Sequence, residues 1–327
     1  MRGDSPEETV TLHGAHRAAA LPRRWLFATF GLLRGGVSSS ERAIDSVHVG
    51  TPLPLGHGRF MTRIDCVQFA PELGDLAANV AAITAALARI LQRGSDIVVF
   101  PELATSGYMF TSPAEAAQAA VPATDPIFEI WRAMLAGLDT VLVVGFAEAN
   151  DAGRTYNSAV LIDSTGVRSV YRKTHLWDNE KLVFEPGGCL PDVVETAHGR
   201  LVMLVCYDLE FPEMIRHVTL AGADVILSPV NWPAQVPLLE ELPGEVITAM
   251  GLARVNGISI VVSDRAGTER GQEWEQASSI IDANGRLVAI RRDTGVLSAH
   301  LDLTESRTKS RSHLADLIGD RRTDLYS

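Results

Sequence analysis

Three residues of different chemistry stand at the ends of apolar runs. Glu102 follows Asp96-Ile-Val-Val-Phe-Pro, Lys173 closes Val170-Tyr-Arg-Lys173, and Cys206 closes Leu201-Val-Met-Leu-Val-Cys206. A carboxylate can take a proton, an ammonium can steady a developing negative charge, and a thiol can attack a carbonyl carbon. Together they are the parts needed for acyl transfer through a thioester.

Each residue also has an ordinary reading. A lone cysteine is most often a buried structural thiol, and a strand-end lysine is most often solvated. Glu102 carries more weight, because a carboxylate leaving a buried strand must be paired or must face a cleft. Cys206 gains from the segment after it, Tyr207-Asp-Leu-Glu-Phe-Pro212-Glu213. Pro212 and Glu213 suit the first turn of a helix. A strand-to-helix turn leaves backbone N–H groups free to meet an oxyanion, with the thiol at the elbow. Glu180, in Asn179-Glu-Lys-Leu-Val-Phe-Glu-Pro-Gly187, is a second candidate carboxylate.

The elements that must position these groups alternate along the chain from Met61. Ile64–Phe69 reads as a strand, Leu76–Gln92 as a helix capped by Gly94, and Ile97–Phe100 as a strand. Asp125–Leu138 reads as a helix with Pro126 in its first turn. Thr140–Ala147, Tyr156–Ile162 and Ser169–Lys173 read as strands. The second half repeats the logic. Strands are expected at Leu201–Cys206, Val225–Pro229 and Ile258–Ser263, with helices at Pro212–Ala221 and Gly244–Asn256. Ala283-Asn284-Gly285 marks a hairpin between Ser278–Asp282 and Arg286–Ile290, and Ser298–Leu303 is the expected last strand. Mixed strands with helices able to cover both outer faces suggest sheets packed inside helical layers.

The bulk numbers exclude several classes. The chain has 327 residues and a net charge of -11, with no basic stripe, so nucleic acid and anionic membrane are not expected partners. Cys66, Cys189 and Cys206 lie far apart without a C-x-x-C pair, which argues against a zinc site or a disulfide scaffold. A reducing, cytoplasmic setting is expected, and it would keep a nucleophilic thiol usable. Residues 1–60 read as an extension outside the fold. Arg23-Arg24 before an apolar stretch has the look of an export signal, but the stretch is too short to span a bilayer and no A-x-A site comes after it. The expected division is therefore 1–60 as extension, 61–304 as the folded domain, and 305–327 as a polar tail, read as an interface arm.

The three motifs in order resemble the carbon–nitrogen hydrolase (nitrilase) superfamily over about residues 62 to 303. The glutamate motif is Phe100-Pro-Glu102-Leu103 with Gly107-Tyr108 after it. The lysine motif is Tyr171-Arg-Lys173-Thr-His-Leu176. The cysteine motif is Cys206-Tyr-Asp208 with Phe211-Pro-Glu213. The resemblance implies a four-layer αββα sandwich that forms homodimers or larger homo-oligomers, with no metal and no organic cofactor. It implies that Glu102 moves protons, that Cys206 attacks, that Lys173 and the Tyr207 N–H hold the oxyanion, and that Glu180 positions substrate or water.

Cys206-Tyr207-Asp208 is similar to the amidase branch, whereas nitrilases usually carry Cys-Trp-Glu. The carbamoylase pattern places arginines where Leu209 and Glu210 stand here, so an anionic substrate loses its clamp. Glu210 would instead attract an amine if it faced the pocket. Tyr108, Trp177 and Trp232 are candidate pocket aromatics. The expectation is an amidase acting on small neutral or amine-bearing carboxamides. The rivals are a carbamoyl-amide hydrolase, a nitrilase, or a silent binding module. The complete Glu102, Lys173 and Cys206 set counts against silence.

Overall fold

The computed structural model describes residues 61–234 and 242–326. The extension expected over 1–60 lies outside these residues. The strands in chain order are β1 (Thr62–Gln68), β2 (Ile97–Val99), β3 (Val141–Ala149), β4 (Thr155–Asp163), β5 (Gly166–Arg172), β6 (Val193–Thr196), β7 (Gly199–Met203), β8 (Val225–Pro229) and β9 (Ser259–Ser263). After these come β10 (Thr268–Glu269), β11 (Gln272–Glu273), β12 (Ser278–Ile281), β13 (Leu287–Arg291), β14 (Gly295–Leu301), β15 (Ser310–Ser312) and β16 (Ala315–Asp316). The helices are α1 (Leu76–Leu91), α2 (Pro113–Ala119), α3 (Pro126–Met134), α4 (Glu180–Val183), α5 (Pro212–Leu220) and α6 (Gly244–Asn256).

Two six-stranded sheets carry the fold, in the orders β14-β1-β2-β3-β4-β5 and β13-β12-β9-β8-β7-β6. The centre of each is parallel and the outer pairs are antiparallel. Strand alternation sorts the apolar side chains into layers. Ile64, Ile97, Val99, Val141, Val143 and Leu161 face inward and meet Leu201, Met203, Val225 and Leu227 of the second sheet. Val98, Leu142, Val144 and Val160 face outward, onto Ile83, Leu87 and Ile90 of α1 and Phe128 and Trp131 of α3. Strands buried on both faces read as continuous apolar runs. Ile215, Val218, Val246, Ala249 and Ala253 of α5 and α6 cover the second sheet. The layers run helix, sheet, sheet, helix, as the resemblance implies.

Local signals explain most boundaries. Asp75 caps α1 by accepting the Ala78 N–H at 2.9 Å. Pro126 opens α3 behind an Asp125 cap, and Gly257 ends α6 in the left-handed region. The hairpin at Asn284-Gly285 joins β12 to β13 as expected. Other boundaries differ. α3 stops at Met134 rather than Leu138, because the chain turns through Gly137 at φ +78. The last strand of the sandwich is Gly295–Leu301, which pairs antiparallel with β1 and so returns to the first sheet. α2, capped by Ser112 with Pro113 behind it, was not expected, nor was edge strand β6.

The first part of the polar tail is tied to the domain through Arg307, Lys309 and Arg311. Arg307 reaches Asp224 at 3.0 Å, Lys309 donates to the Gly257 carbonyl at 2.7 Å, and Arg311 donates to the Arg254 carbonyl at 2.8 Å. Lys309 and Arg311 thus satisfy carbonyls at the C-terminal end of α6, where positive charge is favoured.

Candidate active site

The three reactive residues lie beyond strand ends rather than on strands. β2 stops at Val99, β5 at Arg172 and β7 at Met203. Glu102 and Lys173 leave the first sheet, and Cys206 leaves the second. Cys206 opens a 3-10 turn, Cys206–Glu210, with φ of +48. Leu103, directly after Glu102, has φ of +49. Non-glycine residues reach this region at a cost of roughly 1–2 kcal/mol each, and such strain persists where surrounding contacts over-determine it. Gly145 on β3 makes room for the glutamate turn. A Cβ there would stand 2.4 Å from the Pro101 carbonyl oxygen and 2.6 Å from the Glu102 Cα.

Lys173 is the hub. Its Nζ donates to Glu102 Oε1 at 2.7 Å and to Glu180 Oε1 and Oε2 at 3.0 and 2.7 Å. The Asn157 amide bridges the same carboxylates, at 2.7 Å to Glu102 and 2.8 Å to Glu180. The Trp177 N–H donates to Glu180 at 2.6 Å. From the second sheet, the Asn231 amide donates to the Glu102 carbonyl at 2.9 Å. Lys173 and Glu102 are both fully buried.

Burial dominates the proton affinities. It pushes Glu102 up to about 7, against the pull of Lys173 and with the push of Glu180. Burial works against the Lys173 charge, but Glu102, Glu180 and Cys206 outweigh it and hold the ammonium well above its ordinary range. The Cys206 thiol is raised well above its ordinary value by burial and Glu102, eased by Lys173 and by a hydrogen bond from the Asn231 backbone N–H. The cysteine therefore lies in the field of both partners and rests as a thiol. One Glu102 oxygen, Oε2, is buried with no protein partner.

Beside this network is a cavity of about 130 Å³ lined by Tyr108, Phe110, Trp177, Glu180, Phe184 and Trp274, among others. Tyr108 donates its phenol to Glu180, and burial with the Glu180 and Glu102 charges holds its proton on. Tyr207 packs edge-on against Trp177 at 4.8 Å and Phe211 at 5.0 Å. Of the expected site residues, Tyr108, Trp177 and Glu180 line this cavity, and Glu102, Lys173, Cys206, Tyr207, Glu210 and Trp232 do not. Glu210 is exposed at the end of the 3-10 turn, outside the cavity lining. Trp232 is buried outside the cavity lining, and its neighbour Pro233 lines the cavity instead. Asn157, Asn231 and Trp274 were not anticipated. Asn157 could have been noticed as a polar residue inside the apolar run of β4.

A family model for carbon–nitrogen hydrolases matches residues 63–310. The chain belongs to the carbon–nitrogen hydrolase family. Among curated relatives of this hydrolase, an (R)-stereoselective amidase from Pseudomonas sp. is 32% identical over 80% of this chain and 92% of that protein. An N-carbamoylputrescine amidase of Solanum tuberosum is 31% identical, covering 81% and 94%. A nitrilase of Pyrococcus abyssi is 29% identical, covering 81% and 99%. Among solved structures, an amidase from Nesterenkonia sp. superposes with a TM-score of 0.68 at 27% identity, over 81% of this chain and 94% of that one. Mutant forms of an amidase from Nesterenkonia sp. AN1 hold butyramide or acrylamide, or carry acrylamide or the acetamide moiety of fluoroacetamide on the active-site cysteine. The hydrolase therefore acts on non-peptide carbon–nitrogen bonds with an active-site cysteine.

No helix among the described residues is long and apolar enough to cross a membrane.

Proposed function

We propose that this hydrolase is an amidase that converts small neutral carboxamides to carboxylic acid and ammonia through a Cys206 thioester. The observation that carries this reading is the buried Glu102–Lys173–Glu180 network, whose Glu180 borders a small aromatic cavity. Among the described residues, no lysine or arginine lines that cavity. A carboxylate-bearing substrate would enter without a counter-charge and beside Asp178 and Glu180, which is costly in a desolvated site. With Glu210 outside the lining, Glu180 already paired with Lys173 and Asp178 at the exposed rim, no unpaired buried carboxylate is left to hold an amine, and a neutral acyl group fits best. The amide-bound relatives point the same way.

In this mechanism Glu102 accepts the thiol proton as Cys206 attacks the amide carbon. The uphill transfer is driven by formation of the C–S bond. Lys173 and the Tyr207 N–H stabilise the oxyanion. The proton held on Glu102 passes to the leaving nitrogen, and ammonia departs. Glu102 then activates water to attack the thioester, which releases the acid and restores the thiol. All three Lys173 donors are engaged at rest. The oxyanion therefore meets the ammonium through its charge, or by taking one of the two contacts now made to Glu180.

The test is ammonia release from three substrates matched in acyl size: a carboxamide, the corresponding nitrile and an N-carbamoyl amine, with Cys206→Ala as control. The amide should be turned over with the highest kcat/KM, and the control should be inactive. A nitrile or carbamoyl preference would replace the amidase reading with that rival. Turnover by Cys206→Ala would remove the thioester.

A further inference from the structure

The lysine and cysteine segments leave different sheets, so no backbone ladder joins them. Asp208 does. Its carboxylate is fully buried and faces five donors. Four come from the lysine segment. The Tyr171 hydroxyl donates to Oδ2 at 2.9 Å, while the Thr174 hydroxyl, the His175 N–H and His175 Nδ1 reach Oδ1 at 3.0, 3.1 and 2.7 Å. The fifth is the Val205 N–H, 3.0 Å from Oδ2, at the residue before the nucleophile. Tyr171 and Thr174 bracket Lys173. Val205 sets the entry to Cys206, whose φ is +48. The His175 ring also stacks on Phe211, at 3.7 Å and 14°, at the far end of the same turn.

We propose that Asp208 is a positioning residue, whose carboxylate ties the Cys206 elbow to the Lys173 strand end and so sets the thiol against the ammonium. The inference rests on the proposed function, in which these two side chains carry the chemistry. An ionised carboxylate suits the task, because both of its oxygens only accept. With five donors around it, an amide of the same shape must turn its NH2 toward at least one of them. A proton on His175 Nδ1, the ring nitrogen that meets Asp208, completes the set of donors. Without the clamp, the strained elbow loses the contact that holds the Val205 N–H. The His175–Phe211 stack, at the other end of the turn, does not reach Val205. A displacement of about 1 Å at a reacting centre can cost on the order of 100-fold in rate.

The experiment uses the full chain carrying Cys189→Ser, so that the exposed thiol does not compete. In Asp208→Asn, kcat on a small neutral amide should fall on the order of 100-fold while KM moves less than about 3-fold, the signature of lost transition-state geometry. Alkylation of Cys206 by iodoacetamide should slow in parallel, by about 10-fold, because the sulfur leaves the field of Lys173. A folded Asp208→Asn with kcat and alkylation within about 2-fold of the parent would overturn the proposal.

Should Asp208→Asn yield no folded protein, Tyr171→Phe and Thr174→Val each delete one donor and keep the shape. Each should lower kcat several-fold at constant KM, and near-parental values in both would overturn the clamp. The alkylation rate needs no substrate. Absence of amide turnover in the parent would defeat the amidase reading while Asp208 was still tested.

Discussion

Lys173 and Glu180 share two contacts, 3.0 Å to Oε1 and 2.7 Å to Oε2, in a place from which solvent is all but absent. Glu102 takes the third side of the same ammonium. One buried cation thus holds two carboxylates, and removing it leaves both unpaired. Lys173→Met should lose activity and about 3–5 kcal/mol of stability at neutral pH. Without the ammonium, Glu102, already raised by burial and by Glu180, favours its protonated form in the folded protein still more strongly. The variant should therefore be most stable in mild acid and weaken as pH rises. Thermal unfolding across pH 5 to 8 checks it, and a pH-independent Tm deficit would contradict the argument.

Glu102 held at about 7 predicts an acid limb in the rate profile. The base is lost when it is protonated, so kcat/KM should fall as pH drops through about 7. Glu180 raises the affinity of Glu102 for its proton. Glu180→Gln should therefore shift the limb to lower pH, even as the rate falls. A limb that stays in place in Glu180→Gln would mean another group titrates there.

Neighbouring glycines should respond in opposite ways. A Cβ on Gly187 would lie 2.1 Å from the Arg172 carbonyl oxygen, where the chain passes over the lysine strand and the Gly187 N–H donates to the Lys173 carbonyl at 2.8 Å. A Cβ on Gly188 meets nothing within 4 Å. Gly187→Ala should cost on the order of 1–3 kcal/mol, as overpacking does, and should lower kcat through Lys173. Gly188→Ala should leave both Tm and kcat near wild type. Equal effects from the two would contradict the close approach.

The three cysteines should separate by chemistry. Cys66 is fully buried and its thiol is pushed far above its ordinary range by burial and by Asp65. Cys189 is exposed. Cys206 is buried but borders the site. Iodoacetamide should label Cys189 as a surface thiol and Cys206 as a site thiol, and spare Cys66 in the folded protein. A butyramide excess should protect Cys206 alone, as read by peptide mass.

The sandwich and its reactive residues were legible in the sequence because buried strands announce themselves as apolar runs, and a charge at the end of such a run stands out. Glu102, Lys173 and Cys206 each close or succeed one. The pocket was less legible. Trp274 and Gln272 come from the short β10–β11 hairpin and its exit, which have no periodicity and are distant in sequence from Tyr108. Glu210 and Trp232 do not line the cavity, for a related reason. Distance from the nucleophile along the chain fixes neither the direction of a 3-10 turn nor which side of a strand end an aromatic takes. Asp208 was visible only as a motif letter, since its five donors come from segments joined by the tertiary structure.

The division of the site between the two sheets makes turnover a gauge of their alignment. Glu102 and Lys173 ride on one sheet and Cys206 on the other. Asn231 to Glu102 and Ser263 to Val99, at 2.9 Å each, are polar stitches across the seam. A slip of the inner faces that left every helix and strand intact would still part the sulfur from its base. Mild urea, or a shortened side chain such as Leu227→Ala between the sheets, should therefore silence the hydrolase before circular dichroism records any loss of secondary structure.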